Sequence, residues 1–139
     1  MPVDSISSQL RRDEGVRQFP YVDTVGKTTI GVGRNLTDVG LSDAEIDFLL
    51  SNDIQKVLNQ LQARLPYFEA LDPARQGVLI NMAFNLGFAG LEGFPRMLSA
   101  FAQGDWERAA SEMLESRWAT QVGARAERLA EQTRTGQWV

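Results

Sequence analysis

The run from Ser42 to Leu65 limits the possible folds more than any other stretch of this chain. Ser42-Asp43-Ala44-Glu45 has the form of a capping box, in which the serine hydroxyl and the glutamate carboxylate each satisfy a backbone N–H at a helix start. Behind it Ile46, Leu49, Leu50, Ile54, Val57, Leu58, Leu61 and Leu65 recur at three- and four-residue steps, the period of one helix face. The pattern predicts a single amphipathic helix of about twenty residues that ends before Pro66. It separates a strand-like stretch from a wholly helical one, so it is the natural connector of two lobes.

Before the connector, Val3, Ile6 and Leu10 fall at helical spacing after Asp4 or Ser5, either of which can cap the first turn. This first helix ends near Gly15. Phe19 to Val22 and Thr28 to Val32 are rich in aromatic and β-branched residues, and Asp23-Thr24-Val25-Gly26 between them is turn chemistry, which together predict a hairpin. Glycines alternate through Thr28-Thr29-Ile30-Gly31-Val32-Gly33, marking places where another backbone or a sugar ring can approach the strand closely. After the connector, Asp72-Pro73 caps and starts a helix carrying Val78, Leu79, Met82 and Phe84, with Gly87 as its stop, apolar enough to be the core helix. Gly93-Phe94-Pro95 begins a short helix to about Ala102, Gly104-Asp105 another through Leu114, and Gly123 to Thr133 the last. The class is α+β: one domain over 1–139, with a sheet lobe at about 15–41, the connecting helix at about 42–65, and a helical lobe at about 66–139 that takes in the N-terminal helix 3–14.

Composition narrows the chemistry. At 139 residues and 43% hydrophobic content there is room for one domain with a true core, or two lobes sharing a helix, and none for a third. No window approaches the ~18 consecutive apolar residues of a spanning helix, and MPVDSISSQLRRDEG lacks the apolar centre of a signal peptide, so the expectation is a soluble chain with no stable membrane association that stays where it is made. There is no cysteine and no histidine. Disulfides, the usual zinc sites, an imidazole base and a serine triad are thereby excluded, and acid–base work falls to Asp and Glu. The net charge of −4 and the lack of a basic run with interleaved aromatics argue against nucleic acid as a partner. Twelve of the fourteen basic residues are arginine, which favours bidentate pairing with carboxylates. Four of them (117, 125, 128, 134) stand against two glutamates from Ser116 onward, leaving that end locally positive.

The candidate site lies in residues 11–34. Asp13 and Glu14 close the first helix, where negative charge opposes the macrodipole at a cost of roughly 0.3–1 kcal/mol, so something other than helix stability places them there. Asp13 reads most simply as an exposed partner of Arg11, Arg12 or Arg17; for Glu14 the same reading and a functional one stand level. Asp23 opens the turn nine residues later, a position aspartate also takes simply to bond its own backbone. Thr29 follows six further on, in a strand where threonine is common for its own sake. Two carboxylates and a hydroxyl at that spacing suit hydrolysis.

Asp13-Glu14-Gly15, Tyr21-x-Asp23-Thr24-x-Gly26-x-x-Thr29-Ile30-Gly31-x-Gly33, Ile80-Asn81-Met82-x-Phe84, Ser116-Arg117-Trp118 and Arg134-Thr135-Gly136-x-Trp138 stand in the order of one family. Almost from end to end the chain resembles the phage-type lysozymes of the T-even kind. The resemblance implies a lysozyme-like α+β fold and a muramidase hydrolysing the β-1,4 bond between N-acetylmuramic acid and N-acetylglucosamine in bacterial peptidoglycan, as a monomer without metal or cofactor. It implies Glu14 as general acid, Asp23 as the second carboxylate and Thr29 as the hydroxyl that helps hold the attacking water. The physics agrees: a glycosidic oxygen must be protonated to leave, and the developing oxocarbenium ion needs nearby negative charge. The acid must also keep its proton until substrate binds, which calls for a pocket that disfavours its anion, whereas Asp23 on a polar turn can stay ionised. The family is inverting, which implies carboxyl groups about 6.5–9.5 Å apart with a water between them.

By the same resemblance Arg125 pairs with the catalytic glutamate, Asn81, Phe84 and Asn85 match the helical wall of the substrate groove, and Leu36 its sheet-lobe wall. Asn81 could equally be an amide tying helices together, and Phe84 ordinary core. Trp106, Trp118 and Trp138 read as packing more than as sugar-stacking platforms. Three departures stand out. Arg34 replaces a histidine whose partner matches Asp53, so an Arg34–Asp53 bridge with a structural role is expected. The segment Leu36 to Leu41 is much shorter than its counterpart. The acidic net charge contrasts with a strongly basic family member. The setting implied is that of an endolysin that accumulates in the host cytoplasm and reaches the wall after a holin-like protein opens the membrane. Two alternatives are a lytic transglycosylase, which needs one glutamate and no positioned water, and a non-catalytic wall-binding module on the same fold.

Overall fold

A computed structural model describes residues 3–139; Met1, Pro2 and the side chain of Val3, on which part of the first helix's spacing argument rests, lie outside it. The described elements are α1 (Val3–Glu14), β1 (Arg17–Val22), β2 (Thr28–Gly31), β3 (Arg34–Asn35), α2 (Asp43–Arg64), α3 (Pro73–Glu92), α4 (Pro95–Gln103), α5 (Trp106–Leu114), α6 (Arg117–Val122) and α7 (Ala124–Thr135), with a 3-10 turn at Phe68–Ala70. The backbone forms two compact units, one ending at Leu49 and one spanning Leu50–Val139. The first takes in α1, which the sequence reading had assigned to the helical lobe.

In the first unit the three strands form one antiparallel sheet in the order β1-β2-β3. Val22 faces Thr28 and Tyr21 faces Thr29; the register then slips before Arg17 meets Gly31, in the stretch that contains Pro20, which has no N–H to give the ladder. Ile30 pairs with Arg34 and Thr29 with Asn35 across the tight β2–β3 connection. That third strand, only two residues long, is absent from the sequence expectation.

The connector is as expected. Glu45 N donates to Ser42 Oγ at 3.2 Å and Ser42 N donates to Glu45 Oε1 at 2.9 Å, so the capping box starts α2, which runs unbroken to Arg64. Its burial is uneven: Leu61 and Leu65 are buried and Val57 and Leu58 half-buried, whereas Ile46, Leu49, Leu50 and Ile54 are exposed.

In the second unit Asp72 caps α3 through Arg75 N at 3.2 Å, with Pro73 in the first turn. Gly87, at φ +75°, breaks the helix as expected, and a further short helical turn reaches Glu92. Asp105 and Ser116 cap α5 and α6 through their side chains. Val78, Leu79 and Met82 of α3, Leu61 of α2, Met97 and Phe101 of α4 and Met113 of α5 are fully buried in one cluster. Phe84 is 45% exposed and so is not core. Trp118 is buried with its ring edge-on to Phe94, and Trp106 is edge-on to Phe101, as expected of packing residues. Trp138 departs from that expectation, being 68% exposed, with the far edge of its indole against Gly77. Among the described residues every buried apolar side chain lies in this second unit, and no single helix is long and apolar enough to cross a membrane.

Candidate active site

Glu14, Asp23 and Thr29 all belong to the first unit. Glu14 is the last residue of α1 and is exposed; Gly15, at φ +80°, turns the chain out of the helix directly after it. Its carboxyl lies over the β2–β3 connection: a Cβ placed on Gly33 would stand 3.0 Å from Glu14 Oε2 and 3.3 Å from Cδ. At Gly33 the neighbour is thus a carboxylate, where the sequence suggests a backbone or a sugar ring. Exposure means that the first unit does not itself enclose the acid, as the sequence argument had required. Asp13 beside it forms the expected surface pair, with Arg12 Nε at 2.9 Å.

Asp23 opens the β1–β2 turn and is half-buried. Its Oδ1 accepts from Val25 N at 3.0 Å and from Lys27 N at 2.8 Å, and its own N–H donates to Lys27 O at 2.9 Å. The turn reading of Asp23 is therefore correct, and it occupies one carboxylate oxygen only; Oδ2 has no hydrogen-bond partner among the described residues. Thr29 is 3% exposed, the most enclosed polar side chain of the unit. Its Oγ1 donates to Lys27 O at 3.0 Å. The Lys27 peptide thereby links the two: its N–H fixes the carboxylate and its C=O takes the threonine proton, which leaves the Thr29 oxygen to act as an acceptor. Nothing in the spacing of the sequence pointed to Lys27.

The expected Arg34–Asp53 bridge is replaced. Arg34 Nη1 donates to Glu45 Oε1 at 2.7 Å and to Gly40 O at 3.2 Å, both within the first unit. Glu45 is also the capping-box glutamate, so its oxygen is already aimed back at the chain entering α2, one short loop from Arg34. The Arg34 guanidinium and the Ser42 hydrogen bonds hold its carboxyl well down, at about 2, and the carboxylate in return raises the guanidinium. Asp53 is exposed on α2, and Leu36 is half-buried just after β3.

In the second unit Arg125 clasps Asn81, with Nε at 2.9 Å and Nη2 at 2.7 Å from Oδ1. The helix-tying role weighed for Asn81 is real, joining α3 to α7. Asn85 Oδ1 accepts from Trp118 Nε1 at 2.8 Å, tying α3 to α6. Asn81, Phe84 and Arg125 share a cleft of about 220 Å³ with Leu50, Ile54 and Ile80. Tyr67 carries a buried hydroxyl with no partner among the described residues, and burial pushes it up to about 12.

A small antiparallel sheet bearing Asp23 at a turn and a buried threonine, a short helix ending on Glu14, and a long capped helix leading into a helical unit make the lysozyme-like α+β arrangement. The profile of the phage lysozyme family matches residues 11–135, and the chain belongs to that family, a class of glycoside hydrolases. Among its relatives, the pre-baseplate central spike protein Gp5 of Enterobacteria phage T4 is 32% identical over 92% of this chain, which spans about a quarter of that protein's length (27%). The probable T4-type lysozymes 2 and 1 of Dictyostelium discoideum are 26% and 25% identical, each over 96% of both chains. The aligned length with those two, 163 positions, exceeds the 139 residues here, so they carry segments that this chain lacks.

Proposed function

We propose that this chain is a muramidase that cleaves the β-1,4 bond between N-acetylmuramic acid and N-acetylglucosamine of bacterial peptidoglycan with inversion. The observation that carries the reading is the hydrogen-bond polarity around Lys27. With Oδ1 of Asp23 held by two backbone N–H groups and the Thr29 hydroxyl donating to Lys27 O, Asp23 Oδ2 and Thr29 Oγ1 both remain acceptors, and the proposed mechanism places the attacking water on the two of them. A water donating one proton to each turns a lone pair outward, the orientation that attack on an anomeric carbon requires.

Glu14 protonates the glycosidic oxygen as the C1–O bond breaks, water bonds to C1 from the opposite face, and the proton it sheds goes to Asp23. Asp23, anionic before that transfer, also stabilises the oxocarbenium character of C1. The saccharide itself supplies the cover that the exposed Glu14 lacks in the first unit. Leu36 is the saccharide contact assigned to the first unit. In the second, Asn81 keeps its amide N–H₂ after giving Oδ1 to Arg125, Asn85 does the same beside Trp118, and Phe84 is partly exposed.

The test is proton NMR of the first-formed anomer during digestion of a soluble peptidoglycan oligosaccharide. An α-anomer is expected. A β-anomer would replace inversion by a retaining route, and 1,6-anhydro ends would make the chain a transglycosylase. The proposed setting, host cytoplasm followed by holin-dependent access to the wall, predicts that expression alone leaves cells intact and that co-expression of a holin lyses them. Lysis without a holin would overturn that part.

A further inference from the structure

We propose that Gly33 and the Arg34–Glu45 pair are positioning residues for the general acid: Gly33 is the seat of the Glu14 carboxyl, and Arg34 clamps that seat to the start of α2. The inference rests on the assignment of Glu14 as acid and deepens it. Three observations meet in consecutive residues. Oε2, Cδ and Cγ of Glu14 stand 3.0, 3.3 and 3.5 Å from where a Gly33 Cβ would be, so the carboxyl is in contact with the one face of the turn that has no side chain. Gly33 has φ +70°, a conformation that L-residues with a Cβ rarely adopt, so the turn is built around glycine on conformational grounds as well. Arg34, the next residue, pairs with Ile30 across the turn and sends its guanidinium to Glu45 Oε1 at 2.7 Å and Gly40 O at 3.2 Å.

Glu45 is itself held by the Ser42 N–H at 2.9 Å. The seat is therefore fixed on one side by the β2 ladder and on the other by the capping box of the 22-residue helix α2. An acid at the end of a helix, on an exposed side chain with several free torsions, needs such a support to meet a glycosidic oxygen reproducibly. The low acid range of Glu45 keeps the clamp charged throughout neutral and mildly acid conditions.

The experiment combines turnover on peptidoglycan with the 13Cδ resonance of Glu14 in the free protein. In Gly33→Ala the added methyl displaces the carboxyl, and kcat falls by about 10²-fold with KM little changed, the scale of loss for a displaced catalytic group. Arg34→Met, which keeps the seat and releases the clamp, and Glu45→Gln, which keeps Oε1 as acceptor for Ser42 N and Arg34 but removes the charge that holds the guanidinium, both lower kcat, the first by about tenfold and the second by less, and Arg34→Lys restores the charge and the activity. The Glu14 resonance shifts in all three of the first variants and returns toward the wild-type position in Arg34→Lys. Unchanged kcat and an unmoved resonance in folded Arg34→Met and Glu45→Gln would overturn the clamp, and the same result in folded Gly33→Ala would overturn the seat. A wild type that releases no fragments would sink the assignment of Glu14 as acid instead, while the resonance still reports whether Gly33 and Arg34 place its carboxyl.

Discussion

Arg75 makes the strongest single prediction about stability. Its side chain is 13% exposed and every nitrogen is engaged: Nε donates to Thr133 O at 2.7 Å, Nη2 to Arg134 O at 2.9 Å, and Nη1 to Asp72 Oδ1 at 3.1 Å. The first two are carbonyls of the last turn of α7, which have no partner inside the helix and see the negative end of its dipole. The guanidinium also stacks over Trp106 at 4.1 Å from the ring centroid. Gly136 closes α7 directly against it, with a hypothetical Cβ 2.8 Å from Nη1. Arg75→Met removes two charge-assisted bonds to carbonyls worth about 1.5–3 kcal/mol each, an ion pair with the part-exposed Asp72 worth up to about 1 kcal/mol, and a cation–π contact worth about 0.5–2 kcal/mol. Because these act as a unit and the methionine stem recovers some packing, the net loss is set at about 3–4 kcal/mol, or about 10 °C in Tm for a chain of this size. Urea unfolding followed by tryptophan fluorescence reads this directly, since Trp106, Trp118 and Trp138 all lie in the second unit. A loss below about 1 kcal/mol with unchanged m would refute the idea that Arg75 joins the start of α3 to the end of α7.

Other variants test the remaining elements. Asp23→Asn keeps the acceptor for Val25 N and Lys27 N and should melt like wild type while losing about 10²–10⁴-fold in turnover, whereas Asp23→Ala should also destabilise the turn in melting assays. Tyr67→Phe deletes a buried hydroxyl that no described residue satisfies, so thermal melts should show it neutral or stabilised by up to about 1 kcal/mol. Glu45 has a depressed folded-state acidity, at about 2, so its contribution is complete above the ordinary carboxylate range and is lost as pH falls toward that value. Melting curves between pH 6 and about 2 should therefore show a steeper acid loss in wild type than in Glu45→Gln.

Legibility from sequence followed locality. The capping box at Ser42–Glu45, the Asp72-Pro73 start and the Gly87 break are short-range signals, and all three stand in the structure. Elements shorter than a periodic window escaped: β3 has two residues, α6 six and the 3-10 turn three, although Ser116 caps α6 and was the one available cue. At the site, residue types marked Glu14, Asp23 and Thr29, but the link between the last two runs through the Lys27 backbone, which no side-chain pattern can display. The Arg34 partner differs because the expected Asp53 is carried over from a histidine in the family, whereas here the capping-box oxygen of Glu45 accepts from both Ser42 and Arg34. Phe84 and Trp138 show the limit of apolar identity as a guide to burial: both lie on surfaces that spacing alone places in a core.

The central claim is that this chain hydrolyses peptidoglycan through Glu14. Mass spectrometry of the soluble fragments released from purified peptidoglycan by wild type and by Glu14→Gln tests it most directly. The account predicts fragments with reducing-end N-acetylmuramic acid from the wild type and almost none from the variant. Anhydro-muramic ends, or equal release by a folded Glu14→Gln protein, would contradict it.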